Sequence, residues 1–143
     1  MSTERNKALV RRIYLEVYNN HDLALIDDLY AEDFFSHPNS INPEGIRGPK
    51  GIRNFVTGLL HAFPEIHFDI VDELTEADKV ATRWVFQATL RGDLFGFPPT
   101  GKTGAVTGIT IHRVRDERLV EAWEEADMLG AFHQFGITST STE

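Results

Sequence analysis

The rest of the chain is organised around the stretch Val120-Glu-Ala-Trp-Glu-Glu-Ala-Asp-Met128 near the C-terminus. It alternates as a β-strand does, with successive side chains on opposite faces. One face then carries Glu121, Trp123, Glu125 and Asp127, and the other carries Val120, Ala122, Glu124, Ala126 and Met128. A tryptophan among carboxylates indicates either a solvated face or the wall of a cavity in which a carboxylate acts as an acid or base.

Three more strands are predicted before this one, from the alternation of residues 66–74 and the β-rich runs at 79–91 and 104–115. Ahead of them, apolar residues recur at helical spacing in residues 4–20, 23–30 and 48–63. Long antiparallel sheets twist and curl, so helices on the concave side can enclose a pocket. We therefore predict an α+β domain with a curved, mostly antiparallel sheet packed on three N-terminal helices. Residues 1–136 should form this single domain, and residues 137–143 a flexible tail.

Composition narrows the function classes. The 143 residues suffice for one domain, and the absence of cysteine excludes disulfides, thiolate metal sites and a cysteine nucleophile. The net charge of −8 is spread along the chain, which argues against nucleic-acid binding. No apolar run is long enough to span a membrane and no signal peptide is evident, so we expect a cytoplasmic protein that does not bind membranes. No histidine pair or acidic loop has the spacing of a metal site, and we expect no metal.

Asp127 is the first candidate for chemistry. In an apolar pocket its charged form would be disfavoured, which would raise its pKa towards the working pH. The alternative is an exposed acid at the end of a strand that caps the turn at residues 128–130. Glu125 lies two residues away on the same face, and either both acids point inward or this whole face is solvated.

Two histidines are further candidates. His112, in the middle of a predicted strand, could orient a carboxylate or polarise a substrate carbonyl, or it could be a structural histidine. His37 precedes Pro38 and could instead be a loop residue. The aromatic residues Tyr14, Trp84, Phe97 and Trp123 are the candidate walls of a substrate pocket, together with Glu125. Neither a phosphate-binding glycine loop nor a serine-nucleophile elbow is present.

Five segments of the chain resemble the SnoaL-like polyketide cyclases. They are VRRIYLEVYNNHD at 10–22, LYAEDFFSHP at 29–38, FPEIHF at 63–68, GFPPTGK at 96–102, and residues 120–130. The resemblance extends over residues 7–136. It implies the cone-shaped α+β fold that this family shares with ketosteroid isomerase, scytalone dehydratase and nuclear transport factor domains.

The resemblance also implies a chemistry. In these cyclases an aspartate after a tryptophan on the last long strand is the acid/base group of an intramolecular aldol closure, and it corresponds to Asp127. Histidines of the family correspond to His112 and His37. The family uses neither a metal nor an organic cofactor, and it forms homo-oligomers through the sheet, so a dimer or tetramer is expected. The expected ligand is a small apolar carbonyl compound. A related isomerase, dehydratase or epoxide hydrolase, and a non-catalytic ligand-binding or interaction module, are the alternatives.

Overall fold

The structure is a computed structural model and describes residues 2–137. Helix α1 (Thr3–Arg12) continues as a π-helical segment (Ile13–Tyr18), and a 3₁₀ turn (Leu23–Leu25) leads into α2 (Ile26–Leu29). Helix α3 is Gly48–Ala62 and α4 is Met128–Phe135. The strands are β1 (Tyr30–Ser36), β2 (Ile46–Arg47), β3 (His67–Glu76), β4 (Lys79–Thr89), β5 (Thr103–Arg115) and β6 (Arg118–Ala126).

The strands form one sheet in the order β2-β1-β6-β5-β4-β3. All neighbours are antiparallel except β1 and β6, which run parallel. The predicted α+β fold with a curved, mostly antiparallel sheet and three N-terminal helices is confirmed. The sequence prediction did not pair β1 with β6, and this pairing later decides where His37 lies.

Local sequence explains several boundaries. Ser2 caps α1 by accepting a hydrogen bond from the backbone of Arg5, and Pro49 lies in the first turn of α3, where its missing N–H costs nothing. The β5–β6 turn uses Asp116 and Glu117 at φ +52° and +61°, although neither is a glycine. The π-helical segment carries Tyr14 and Tyr18, both of which are buried.

The core lies between the helices and the inner face of the sheet. Its fully buried large side chains include Phe34 and Leu29 near the start of β1, Phe63 after α3, and Phe135 in α4. Burial of each such side chain contributes about 1.5–3 kcal/mol. This core surrounds a cavity instead of filling the whole interior.

The last described residues, Gly136 and Ile137, end helix α4 and pack on the core. Gly136 ends α4 in the left-handed conformation at φ +68°, and Ile137 is 9% exposed and packs into the core. Of the tail predicted at residues 137–143, Ile137 contacts the core, and residues 138–143 lie outside the described residues. None of the helices within residues 2–137 is long and apolar enough to cross a membrane.

Candidate active site

A cavity of about 270 Å³ opens between the helices and the inner face of the sheet. Its walls are mainly apolar and rich in aromatic side chains, which include Tyr14, Tyr18, Tyr30, Phe68, Trp84 and Phe97. The lining residues that the structure describes include neither lysine nor arginine. The cavity therefore suits an uncharged, largely apolar ligand.

Glu124 is the single carboxylate among the described residues that line this cavity. Residues 121–126 of β6 alternate as predicted, but the face that lines the cavity is the one that carries Ala122, Glu124 and Ala126. Two small residues beside Glu124 leave space in front of its side chain. The strand thus presents one acid to an otherwise apolar wall.

A chain of two hydrogen bonds fixes Glu124. The Trp84 indole Nε1 donates to Thr110 Oγ1 at 2.9 Å, and Thr110 Oγ1 donates to Glu124 Oε1 at 3.1 Å. Because an indole N–H can only donate, the Thr110 hydroxyl must accept from Trp84 and direct its own proton to Glu124. Thr110 and Glu124 are direct partners in the β5–β6 register, so the sheet itself sets this contact. Within residues 2–137, the Oε1 atom of Glu124 accepts a hydrogen bond and its Oε2 atom accepts none. Glu124 Oε2 can therefore contact a ligand.

The protein surroundings make Glu124 a stronger base than an ordinary glutamate. Burial raises the pKa of its carboxyl group, and the nearby negative charge of Glu125 raises it further, against the hydrogen bond from Thr110, which lowers it. Burial, and after it the charge of Glu124, also raises the pKa of the phenols of Tyr14, Tyr18 and Tyr30. These phenols therefore stay neutral near pH 7, and each keeps a proton that it can donate to a ligand.

His112 lines the same cavity and is only 5% exposed. Burial lowers the pKa of its imidazole to about 4, so the ring is neutral near pH 7 and has one donor and one acceptor nitrogen. Within residues 2–137, its buried Nδ1 has no hydrogen-bond partner. His112 faces Ala122 across the β5–β6 ladder, one diagonal step from Glu124.

Four of the residues predicted for the site do lie in the cavity wall: His112, Tyr14, Trp84 and Phe97. The remaining four lie outside it: Asp127, Glu125, His37 and Trp123. In the described part of the chain, no cluster of three or more His, Asp or Glu side chains could hold a metal ion.

The expectation that Asp127 faces the pocket is wrong. Asp127 is exposed and is the N-cap of α4, where its Oδ1 accepts a hydrogen bond from the backbone of Gly130 at 2.8 Å. This is the alternative in which a strand-end acid caps the following turn. Glu125 is also exposed, because it shares the outward face of β6. Both acids are thus solvated rather than paired in the cavity.

The placement of His37 and Trp123 in the pocket is wrong as well. The parallel pairing of β1 with β6 puts His37 on the outer face of the sheet, where its ring stacks on Trp123 at 4.9 Å and 6°. His37 Nε2 lies 2.7 Å from Glu121 Oε2, and the Arg113 guanidinium Nε donates to the other oxygen of Glu121 at 3.0 Å. The expected contact between copies of the chain would use this outer face, and it stays a prediction.

The sequence prediction missed Glu124, Thr110 and Tyr30. A signal for Glu124 was present, because it is the one acid on the mostly small and apolar face of its strand. An ionisable residue on a buried face needs partners or a function. Thr110 has no such signal, since threonine is ordinary in a strand.

Comparison with known proteins supports a family assignment. The family model of the SnoaL-like polyketide cyclases matches residues 8–135. The aklanonic acid methyl ester cyclase DnrD of Streptomyces peucetius is 28% identical over 139 residues, which cover 95% of this chain and 92% of that protein.

Solved structures agree in fold. A SnoaL-like polyketide cyclase structure from Jannaschia sp. CCS1 superposes with a TM-score of 0.86 at 19% identity, covering 97% of this chain and 98% of that one. At 28% identity, a structure described as a polyketide cyclase from Acidithiobacillus ferrooxidans gives a TM-score of 0.83 and covers 97% of this chain and 100% of its own.

Proposed function

The chain belongs to the SnoaL-like polyketide cyclase family, and on this premise we propose that it closes a ring in an uncharged carbonyl compound by acid–base catalysis, with Glu124 as the base. The observation that supports this proposal is a single carboxylate, with raised pKa, in an aromatic cavity. General acid–base groups typically contribute about 10²–10⁴-fold to a rate, and they work best when their pKa approaches the working pH.

The proposed reaction is an intramolecular aldol closure. The Glu124 carboxylate removes a proton from a carbon next to a carbonyl group, and the C–H electron pair becomes part of an enolate. The enolate carbon attacks a second carbonyl carbon of the same molecule, so that a C–C bond forms and a C=O π bond breaks. The resulting alkoxide takes the proton back from Glu124, which restores the carboxylate. Substrate and product are isomers.

His112 and Tyr14 are the proposed donors to the enolate oxygen. Both line the cavity with Glu124, and both are neutral near pH 7, because the pKa of His112 is lowered and that of Tyr14 is raised. A neutral donor stabilises a developing negative charge without neutralising the base beside it. Thr110 is the proposed positioning residue, since its hydroxyl holds Glu124 Oε1.

The proposed substrate class is a neutral ester or ketone of a polyketide. Its support is the described cavity lining, which offers aromatic surface and no cationic side chain for a free carboxylate. The Streptomyces peucetius relative is named as a cyclase of aklanonic acid methyl ester, and a methyl ester of this kind belongs to the proposed substrate class. Aklanonic acid methyl ester is therefore the first substrate to test, followed by smaller diketone esters.

Three proteins test the proposal: the wild type, Glu124→Gln and Asp127→Asn. Each is incubated with aklanonic acid methyl ester and the diketone panel, and product is followed by chromatography and mass spectrometry. We expect the wild type to form a product of unchanged mass, Glu124→Gln to lose about 10²–10⁴-fold in turnover, and Asp127→Asn to retain it.

The comparison of the two acid variants separates the possible outcomes. Full turnover by Glu124→Gln would contradict the role of Glu124. A product lacking one water would indicate a dehydratase rather than a cyclase. If the wild type forms no product from any member of the panel, the ring-closure proposal fails for this substrate class.

A further inference from the structure

The loop between β4 and β5, residues 90–102, contains a tight turn at its centre. Leu94 and Phe97 exchange two backbone hydrogen bonds, with N···O distances of 2.8 and 3.0 Å, so that Phe95 and Gly96 form the tip. Both tip residues have positive φ, +47° for Phe95 and +100° for Gly96. Tight turns of this kind favour asparagine or glycine, and a bulky residue at positive φ is a strained exception. The presence of phenylalanine at this position therefore calls for a compensating contact of its side chain.

The Phe95 ring has such a contact on helix α3. It stacks on Phe55 with ring centroids 5.7 Å apart and an angle of 11° between planes. It also lies directly over Gly58, where an added Cβ would come within 2.8 Å of the ring Cε1. Phe55 and Gly58 together form a seat shaped for this ring, which we call the Phe95 seat.

Phe95 stands at the rim of the cavity. It is 52% exposed and it also lines the cavity, so the ring has solvent on one side and the cavity on the other. Unlike Leu74 or Leu129, the other strongly exposed apolar side chains, the Phe95 ring lies against the cavity. In its seat the ring joins the loop to α3 at the cavity wall, since Phe55 also lines the cavity.

Hydrogen bonds to α3 and α4 hold the two ends of the loop. The backbone N–H groups of Arg91 and Gly92 donate to the carbonyl of Ala62 at 2.9 and 3.2 Å, and Thr100 Oγ1 donates to the carbonyl of Phe135 at 2.5 Å. Leu94, next to the tip, is buried at 7% exposure. The part that is free to move is thus the Phe95 side chain and not the loop backbone.

We propose that Phe95 is a side-chain gate at the rim of the cavity, and that its seat on Phe55 and Gly58 controls the rate at which ligands enter and leave. This inference rests on the proposed function only for the kind of ligand that passes the gate. The movement of the Phe95 ring does not depend on catalysis. When the ring swings out, the stack on Phe55 is lost. An aromatic pair of this kind shifts an equilibrium by about two- to twelvefold, and this sets the expected size of the effect.

The test uses 1-N-phenylnaphthylamine, a neutral aromatic probe whose fluorescence rises in apolar surroundings, in stopped-flow mixing with the full chain. The main variant is Phe95→Asn, because asparagine suits positive φ and preserves the turn while it removes the ring. We expect its association and dissociation rate constants to rise by about two- to twelvefold over wild type. Leu74→Ala is the matched control, since it removes an apolar side chain that is 72% exposed on β3, outside the cavity, and it should leave both rates unchanged.

Gly58→Ala tests the seat itself. The new Cβ displaces the Phe95 ring, so this variant should also accelerate probe exchange, but it should add nothing in the Phe95→Asn background. Circular dichroism and thermal unfolding of each variant establish that it is folded.

Three results would overturn the gate. They are equal probe rate constants in Phe95→Asn and wild type, an undiminished effect of Gly58→Ala in the double variant, and failure of the probe to bind either protein. Because the probe is not turned over, the two proposals fail separately. If probe exchange is faster in Phe95→Asn but the wild type closes no ring, the gate is supported and the cyclase proposal fails. If the wild type closes a ring but probe exchange is the same in Phe95→Asn, the cyclase proposal is supported and the gate fails.

Discussion

Replacement of His112 with glutamine should abolish a specific loss of stability in mild acid. Burial lowers the pKa of His112 to about 4 in the folded protein, whereas an unfolded histidine has a pKa of about 6.5. As the pH falls below about 6.5, the unfolded chain binds a proton that the folded protein cannot bind until about pH 4. Stability is therefore complete above this window and declines as the pH falls through it. The linkage relation gives a loss of about 2 kcal/mol between pH 7.5 and pH 5 from this one group.

The measurement is urea unfolding of the wild type and His112→Gln at both pH values. Carboxylates titrate in the same way in both proteins, so the difference between their pH dependences isolates His112. We expect the free energy of unfolding of the wild type to fall by about 2 kcal/mol more than that of the variant, with equal m-values. Parallel declines in the two proteins would refute the argument that His112 is buried in its neutral form.

Three further predictions concern the acids and their hydrogen bonds. Thr110→Val leaves the Trp84 indole N–H without its acceptor and should reduce the free energy of unfolding by about 1–3 kcal/mol, while its loss of the bond to Glu124 should raise the pKa of that carboxyl; urea unfolding and a carboxyl titration check the two parts. Asp127→Ala removes the N-cap of α4 and should cost about 0.5–2 kcal/mol, whereas Asp127→Asn should cost less; thermal unfolding that ranks the two variants oppositely would contradict the capping role. Because the raised pKa of Glu124 gives stability that is complete at low pH and lost as pH rises through that pKa, Glu124→Gln should raise the melting temperature at pH 7, and an unchanged or lower value would count against burial of the charge.

The fold could be predicted because its signals are local. Helical spacing in residues 4–20 and 48–63 and alternation in the later strands each reflect which side chains must leave water. The family resemblance agreed with these periods. The parallel pairing of β1 with β6 has no local signal, since its partners Ser36 and Ala122 are separated by residues 37–121.

The site was predicted only in part, and the reason lies in β6. Alternation divides Glu124 from Glu125 and Asp127, but it does not say which face turns inward. That choice depends on β5, which sets Thr110 opposite Glu124 and so gives the inward acid a hydrogen-bond partner. Asp127 follows the last strand residue, where the chain turns into α4, and an aspartate at that point is as well suited to capping as to catalysis.

Glu124 is half-buried and is the acid that faces the pocket, and a carbon-13 NMR titration of glutamate side-chain carboxyls can show whether its surroundings favour the protonated form. Glutamate labelled at Cδ is incorporated into the wild type and into Glu124→Gln, and the resonance absent from the variant is assigned to Glu124. We expect this resonance to titrate above the ordinary glutamate pKa of 4.5, and its midpoint to rise further in Thr110→Val. A midpoint at or below 4.5 would contradict the burial of Glu124 and its proposed role as the base.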